Sequence, residues 1–126
     1  MAGCRTVSEV SGLPDVVTDA ETLAVPDVAT RLSIPTSSVH QLVRDGNLLS
    51  YRAGGEVVVP ADFLDGEEIV RGLPGTIVVM RDGGYDDDDI LRWLFTHDDL
   101  LPGIPIEMIR AGRHRAVKRR AQAMAF

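Results

Sequence analysis

The chain reads as mainly α-helical with a small β-hairpin: a winged helix-turn-helix followed by a small helical C-terminal domain. Three observations point there. Between Val25 and Pro60, two short segments of helical periodicity are separated by Ser33-Ile34-Pro35 and followed by two β-prone runs around Ala53-Gly54-Gly55. Beyond Gly72, apolar residues recur at helical spacing in segments punctuated by Pro and Gly. A length of 126 residues with 44% hydrophobic and 25% charged content can bury one core, or two small cores sharing an interface.

Residues 1 to 22 hold Ser, Thr, Gly, Pro and acids without sustained periodicity, which predicts a flexible N-terminal tail. Pro26 suits a first helical position, and Val28, Ala29 and Leu32 share one face, so a helix is expected over 26–32. Pro35 cannot continue it and drives Ile34 towards an extended conformation. Thr36 or Ser37 is then expected to cap a second helix running to about Asp45. Val39, Leu42 and Val43 would pack inward, leaving Ser37, Ser38, His40, Gln41 and Arg44 over the remaining surface. Gly46 fits a left-handed stop. Leu48-Leu49-Ser50-Tyr51-Arg52 and Glu56-Val57-Val58-Val59 are strand-like, predicting a wing over 48–59. Pro60 to Leu64 should open a short helix that returns Phe63 and Leu64 to the core. The boundary is expected between Gly66 and Gly72, dividing the chain into a tail (1–22), a winged head (23–70) and a helical C-terminal domain (71–126).

In that last part, β propensity alone would make Thr76-Ile77-Val78-Val79-Met80 a strand, but Pro74 before it and Gly83-Gly84 after it are helix punctuation. The run Asp86-Asp87-Asp88-Asp89 precedes the apolar register of Ile90, Leu91, Trp93, Leu94 and Phe95. Acids in a first turn are stabilised by unpaired N–H groups and the helix dipole, so capping is expected rather than divalent-metal binding, which draws oxygen ligands at alternating loop positions. Trp93 is expected in the core. Pro102 to Pro105 turns the chain, and Ile106, Met108 and Ile109 mark a short helix ended by Gly112. From Arg113 to Met124, Val117, Ala121 and Met124 share one side while Arg115, Lys118 and Arg119 lie mostly on the other.

The exposed flank of the second helix is what a recognition helix offers the major groove of double-stranded DNA. Gln41 can bond adenine in a bidentate manner, and Arg44 can do the same with guanine or hold a phosphate. Thr36, Ser37 and Ser38 suit phosphate oxygens near a helix N-terminus, and His40 can approach one. Arg52 and the Gly54-Gly55 tip fit a wing lying along the backbone or minor groove. Each of these also reads as an ordinary solvated face or a plain glycine turn, and Arg31 reads as a surface charge.

Net charge is −6, which at first argues against a nucleic-acid partner. Its distribution answers part of the objection. Residues 31–60 carry three basic and two acidic groups, and residues 101–126 six and one, whereas 1–30 carry one and five and 61–100 three and eleven. Phosphate binding depends on local Lys and Arg rather than on the total. So thin an excess over the head predicts salt-sensitive binding of modest strength unless the chain forms a homodimer or the basic C-terminal helix joins the contact. That helix reads equally as charge-solubilised, as a second nucleic-acid contact or as a partner surface.

Catalysis finds little support. His40, His97 and His114 are scattered, and there is no nucleophile elbow and no Gly-Lys-Ser/Thr phosphate loop. Cys4 is the only cysteine, which excludes an internal disulfide and a cysteine-based zinc site. No metal or cofactor is expected. No apolar run approaches the roughly 20 residues that cross a bilayer, so the expectation is a cytoplasmic, nucleoid-associated protein with no membrane partner. Two other classes remain: a protein-interaction module, antitoxin-like, acting through the C-terminal helices, and a small metal-using hydrolase built on the acidic run. DNA binding ranks before both.

The pattern VPDVATRLSIPTSSVHQLVRDGNLLSYRAGGEVVVP resembles the winged helix-turn-helix of small excisionase-like and mercury-resistance-regulator-like DNA-binding proteins. LPGTIVVMRDGGYDDDDILRWLFT and the terminal RRAQAMAF resemble a family of short actinobacterial DNA-binding proteins, typified by a mycobacterial winged-helix protein, which join this head to a small helical C-terminal domain. The similarity runs over residues 22–126, weakly between Asp98 and Arg113, and the head carries few basic side chains for base reading. The resemblance implies a transcription regulator, a helix over the Thr76–Met80 run, and a link to Ser/Thr protein kinases. Among the tail hydroxyls, CRTVSEVSG is similar to the tail of the mycobacterial relative, which singles out Thr6 as the candidate phosphorylation site.

Overall fold

Helix starts and stops are set by proline and left-handed residues. In the computed structural model, which describes residues 21–124, helix α1 covers Val25–Leu32 and α2 covers Thr36–Arg44. Pro26 stands second in α1, where its missing N–H costs nothing. Ser33 ends α1 in the left-handed conformation (φ 58°), its N–H donating back to Thr30 O at 3.2 Å, and Ile34 N reaches Ala29 O at 3.0 Å. Pro35 is itself the cap of α2, so the expected Thr36 or Ser37 cap is corrected: no side chain bonds the first-turn amides. With Pro35 extended (ψ 156°), Thr36 is already helical and its hydroxyl is past the position from which a cap can fold back.

The wing is a three-stranded antiparallel sheet in the order β1-β3-β2, built from β1 Thr22–Ala24, β2 Tyr51–Ala53 and β3 Glu56–Pro60. Two expectations are corrected here. The tail does not run free to residue 22: Thr22 pairs with Pro60 and Leu23 with Val59, and Ala61 N donates to Glu21 O at 2.8 Å. Nor does the first wing strand begin at Leu48, because Leu48 and Leu49 are both fully buried, whereas neighbours in a half-exposed strand point to opposite faces. The strand starts at Tyr51. A 3-10 turn at Ala61–Phe63 replaces the expected short helix and still buries Phe63 and Leu64; a second hairpin, β4 Leu64–Asp65 with β5 Glu68–Ile69, follows.

Four helices complete the chain: α3 Leu73–Asp82, α4 Asp87–Leu94, α5 Pro105–Arg110 and α6 His114–Met124. The β-prone run at Thr76 is helical as its punctuation predicts, and the buried Thr76 hydroxyl is satisfied by Gly72 O at 3.0 Å. The acidic run caps α4: Asp86 accepts from Asp89 N at 2.8 Å while the Asp89 side chain accepts from Asp86 N, a reciprocal box. Hydrogen bonding to Arg92 holds the Asp89 carboxyl below the usual range; Asp88 is pushed upward, by partial desolvation first and by the Asp86 charge second. Among the described residues no group of three or more His, Cys, Asp or Glu is arranged to hold a metal ion.

Head and C-terminal helices share one core. A single apolar cluster runs from Val28, Val39, Leu49 and Val59 through Phe63 to Ile77, Met80, Ile90, Leu94 and Val117, and the Phe63 and Phe95 rings meet across the junction at 5.8 Å. Trp93 packs at the edge of this cluster, half-buried, because its indole N–H serves Asp98 at 2.9 Å. Asp98 also accepts from Leu100 N at 2.8 Å and from Arg120 Nε at 3.1 Å. Burial works against its ionisation, but the bonds from Trp93, Leu100 and Arg120 outweigh burial and lower its pKa.

Asp98→Ala strands the Trp93 and Arg120 donors and is expected to cost about 2 kcal/mol in urea unfolding at neutral pH. Because the folded-state pKa lies below the unfolded one, the contribution is complete above the ordinary carboxylate range and fades as pH falls through the depressed folded value. The gap between variant and wild type should close correspondingly in an acid titration of stability.

Candidate nucleic-acid interface

Amphipathicity decides which side of α2 faces out. Val39 is fully buried, and Leu42 and Val43 are half-buried against the core; Thr36, Ser37, His40, Gln41 and Arg44 are exposed and Ser38 is half-buried. On the outward face Arg44 Nη2 donates to Gln41 Oε1 at 2.6 Å, and Gln41 Nε2 donates to Asp45 Oδ1 at 2.8 Å. This chain of exposed bonds holds the Gln41 amide in one orientation at little cost, since water or a base edge can take over each bond. Ser38 N in the first turn of α2 donates to Pro35 O at 3.0 Å, and no side chain caps the Thr36 and Ser37 amides at the positive end of the helix dipole.

The wing tip is a two-residue turn. Ala53 pairs with Glu56, and Gly54 and Gly55 both have positive φ (60° and 84°), the conformation that a twist-matched hairpin needs and that glycine adopts without strain. Arg52 is exposed and folds over the turn, its Nη2 donating to Gly55 O at 3.2 Å. Two grooves flank α2. His40 shares one with Pro26 and with Glu56 and Val57 of the wing; Ser38 and Gln41 share the other with Ile34, Glu68 and Ile69. The structure therefore joins His40 to the wing, and Ser38 and Gln41 to the β4–β5 hairpin. Asp45, Glu56 and Glu68 also stand on these surfaces and offset the charges of Arg44 and Arg52.

The C-terminus of α2 is held by a residue from the other part of the chain. Arg81, in the last turn of α3, donates Nη1 to Arg44 O at 3.1 Å and Nη2 to Val43 O at 3.0 Å. Its Nε and Nη2 also meet the two carboxylate oxygens of Asp87, both at 2.9 Å. A guanidinium so placed supplies a donor to the Arg44 carbonyl and a second one to the Val43 carbonyl, which already accepts from Gly46 N at 3.2 Å, and it opposes the negative end of the helix dipole. Gly46 allows the approach: it is buried with φ 83°, and a β-carbon there would stand 3.1 Å from Val78 Cγ2 and 3.4 Å from Arg81 Nη1.

A protein of Mycobacterium tuberculosis named DNA-binding protein Rv2175c is 38% identical over 138 aligned residues, covering 96% of this chain and 94% of that protein. The chain belongs to the Rv2175c family. Within it, the domain described as "DNA-binding protein Rv2175c, wHTH domain" matches residues 13–64, and the "Rv2175c C-terminal domain of unknown function" matches residues 70–125. The NMR structure of Rv2175c superposes with a TM-score of 0.80 at 37% identity, covering 100% of this chain and 98% of that one. The fold is thus the family's winged helix-turn-helix joined to a helical C-terminal domain.

Of the residues singled out in the sequence, those on α2 are spread over its outward arc, with His40 on the wing side and Ser38 and Gln41 on the β4–β5 side; Arg52, Gly54 and Gly55 sit at the wing tip, and Thr6 lies outside the described residues. What local reading missed in this Rv2175c-family chain is Arg81 with Asp87. Their contact with α2 bridges 37 and 38 positions, and no pattern near Arg44 announces it. Gly46 was the one legible trace.

Arg81→Ala is expected to lower stability by about 2 kcal/mol in chemical denaturation. Amide exchange should rise at Asp45, Gly46 and Asn47, whose N–H groups close the end of α2. Arg81→Lys should recover only part, because an ammonium cannot span two carbonyls and a carboxylate with a planar fork.

Proposed function

We propose that the protein is a DNA-binding transcription regulator that sets α2 into the major groove and lays its wing along the flanking backbone or minor groove. The observation that carries this reading is the two-sidedness of α2: its aliphatic flank is docked and its polar flank is open. Membership of a family whose namesake is called a DNA-binding protein supports it. In this reading Gln41 reads adenine and Arg44 takes guanine or a phosphate. Thr36, Ser37 and Ser38 receive phosphate oxygens beside the open α2 amides, and His40 approaches a phosphate from the wing side. Arg52 and the Gly54-Gly55 tip contact backbone. Such a protein works at the nucleoid in the cytoplasm, and a homodimer reading two half-sites would make up for the few cations of one head.

Regulation by a Ser/Thr kinase acting on Thr6 fits the same scheme. A phosphate there adds roughly −1.5 to −2 charges to a chain whose DNA-facing surface has few cations to spare. A protein-interaction role for the C-terminal helices is favoured by one feature, the 71% exposure of Leu100 in the loop between α4 and α5, and would appear as partner capture without DNA retention.

Fluorescence anisotropy with random and genomic duplexes across a salt series tests the main reading. Gln41→Ala should erase about 1–3 kcal/mol of discrimination between duplexes while leaving the salt slope unchanged. Arg44→Ala and Arg52→Ala should each flatten the slope by about 0.9 where they meet phosphate. No retention of any duplex at low salt rejects DNA binding. For Thr6, incubation with such a kinase followed by mass spectrometry should show a single added phosphate there; an unmodified Thr6 removes it from the scheme.

A further inference from the structure

Although the chain as a whole is acidic, its basic groups are not evenly used. Arg81, Arg92 and Arg120 are consumed by ion pairs with Asp87, Asp89 and Asp98. Arg71 and Arg115 are exposed and have no hydrogen-bonding or ion-pair partner among the described residues. These two, with Arg110 and His114, line a cleft over an apolar floor of Val70 and Ile109, and Asp65 is the one acidic residue on its wall.

The cleft is assembled by the meeting of two helix starts. The backbone of Gly72, just before α3, lies so close to His114 at the start of α6 that a β-carbon on Gly72 would overlap the histidine. Arg71 and Arg115 are each one residue away from that contact and so are held to one opening. Arg110 is fixed in place by Nη1, which donates to Asp62 O and Leu64 O at 2.8 Å each, leaving Nε and Nη2 without a protein acceptor among the described residues. Unpaired guanidinium groups gathered at one concavity are suited to phosphate oxygens, which they meet through two parallel N–H bonds.

We infer that this cleft is a second phosphate-backbone contact for double-stranded DNA, outside the helix-turn-helix, and that it gives the C-terminal domain a direct part in binding. The inference rests on the DNA-binding reading of α2. Charge complementarity favours a polyanion: Arg71, Arg110 and Arg115 face a single carboxylate, Asp65, and the β4–β5 hairpin contributes to both this cleft and the groove shared with Ser38 and Gln41. The two concavities are separated by the β4–β5 hairpin. The cleft also supplies the cations that the head lacks.

The test uses the full chain and a duplex of about three helical turns, with binding followed across a salt series. Arg71→Ala/Arg115→Ala should make the dependence of log K on log salt less steep by about 1.8, two phosphates' worth. The single variants Arg71→Gln and Arg115→Gln should each account for about half. Both side chains are exposed and unpartnered, so thermal unfolding of the variants should coincide with wild type. An unchanged slope in these variants, while Arg44→Ala still flattens it, overturns the cleft as a DNA contact and leaves an acidic protein segment as its occupant. Absence of duplex binding by wild type itself overturns the α2 reading and this one together.

Discussion

The guanidinium of Arg81 is the point at which the winged head and the helical C-terminal part become one structure. It reaches the last carbonyls of α2 while Asp87 grips it from behind, so a charge that would be costly to leave half-buried is matched on both sides. The Asp run therefore serves twice. Asp86 and Asp89 close the start of α4, and Asp87, a first-turn residue of the same helix, orients the arginine that closes the end of α2. A helix of nine residues has little stability of its own, and α2 is ordered by Val39 beneath it and Arg81 at its end. The shared apolar cluster, with Phe63 against Phe95, fixes the distance at which these polar contacts can form.

Electrostatics then divides the molecule by task. Paired arginines sit where the fold must be held, with carboxylates as partners. Among the described residues Arg71 and Arg115 are exposed at one opening without a partner, while Arg44 and Arg52 donate to neutral acceptors, Gln41 and Gly55. An overall charge of −6 is compatible with a polyanionic partner under this arrangement, because Asp86 to Asp89 stand at a helix start and Asp87, Asp89 and Asp98 are taken up by ion pairs. The carboxylates of Asp45, Glu56 and Glu68 beside α2 raise the cost of indiscriminate phosphate contact, which puts more of the discrimination on hydrogen bonding by Gln41.

Most elements were legible because their signals are local. Pro74 and Gly83 outweighed the β propensity of Thr76 to Met80, and the acids ahead of Ile90 announced a helix start, as the reciprocal Asp86–Asp89 bonds bear out. The failures share a different cause. A three-residue strand at Thr22 exists only because Val58, Val59 and Pro60 are there to pair with it, and no periodicity fits in so short a segment. Leu48-Leu49 looked like strand because apolar pairs are ambiguous, and only burial on both sides resolves them. The Thr36 or Ser37 cap failed by one residue of register, which Pro35 sets. Among the proposed contact residues, outward placement on α2 followed from the helical period, whereas the Gln41–Asp45 and Arg52–Gly55 bonds could not be read without side-chain rotamers. The link from Arg81 to α2 is tertiary throughout.

The pairing of β1 with β3 has a mechanical consequence. Glu21 and Thr22 are stitched to Ala61 and Pro60, so the described chain begins at the rim of the wing sheet rather than at a remote pole. Thr6 stands fifteen positions upstream of Glu21, and a polypeptide spans at most about 3.6 Å per residue, so it can never stray more than about 54 Å from that anchor. A site on that segment is joined covalently to the wing, so an encounter between the two takes place at an effective concentration fixed by their span and indifferent to dilution.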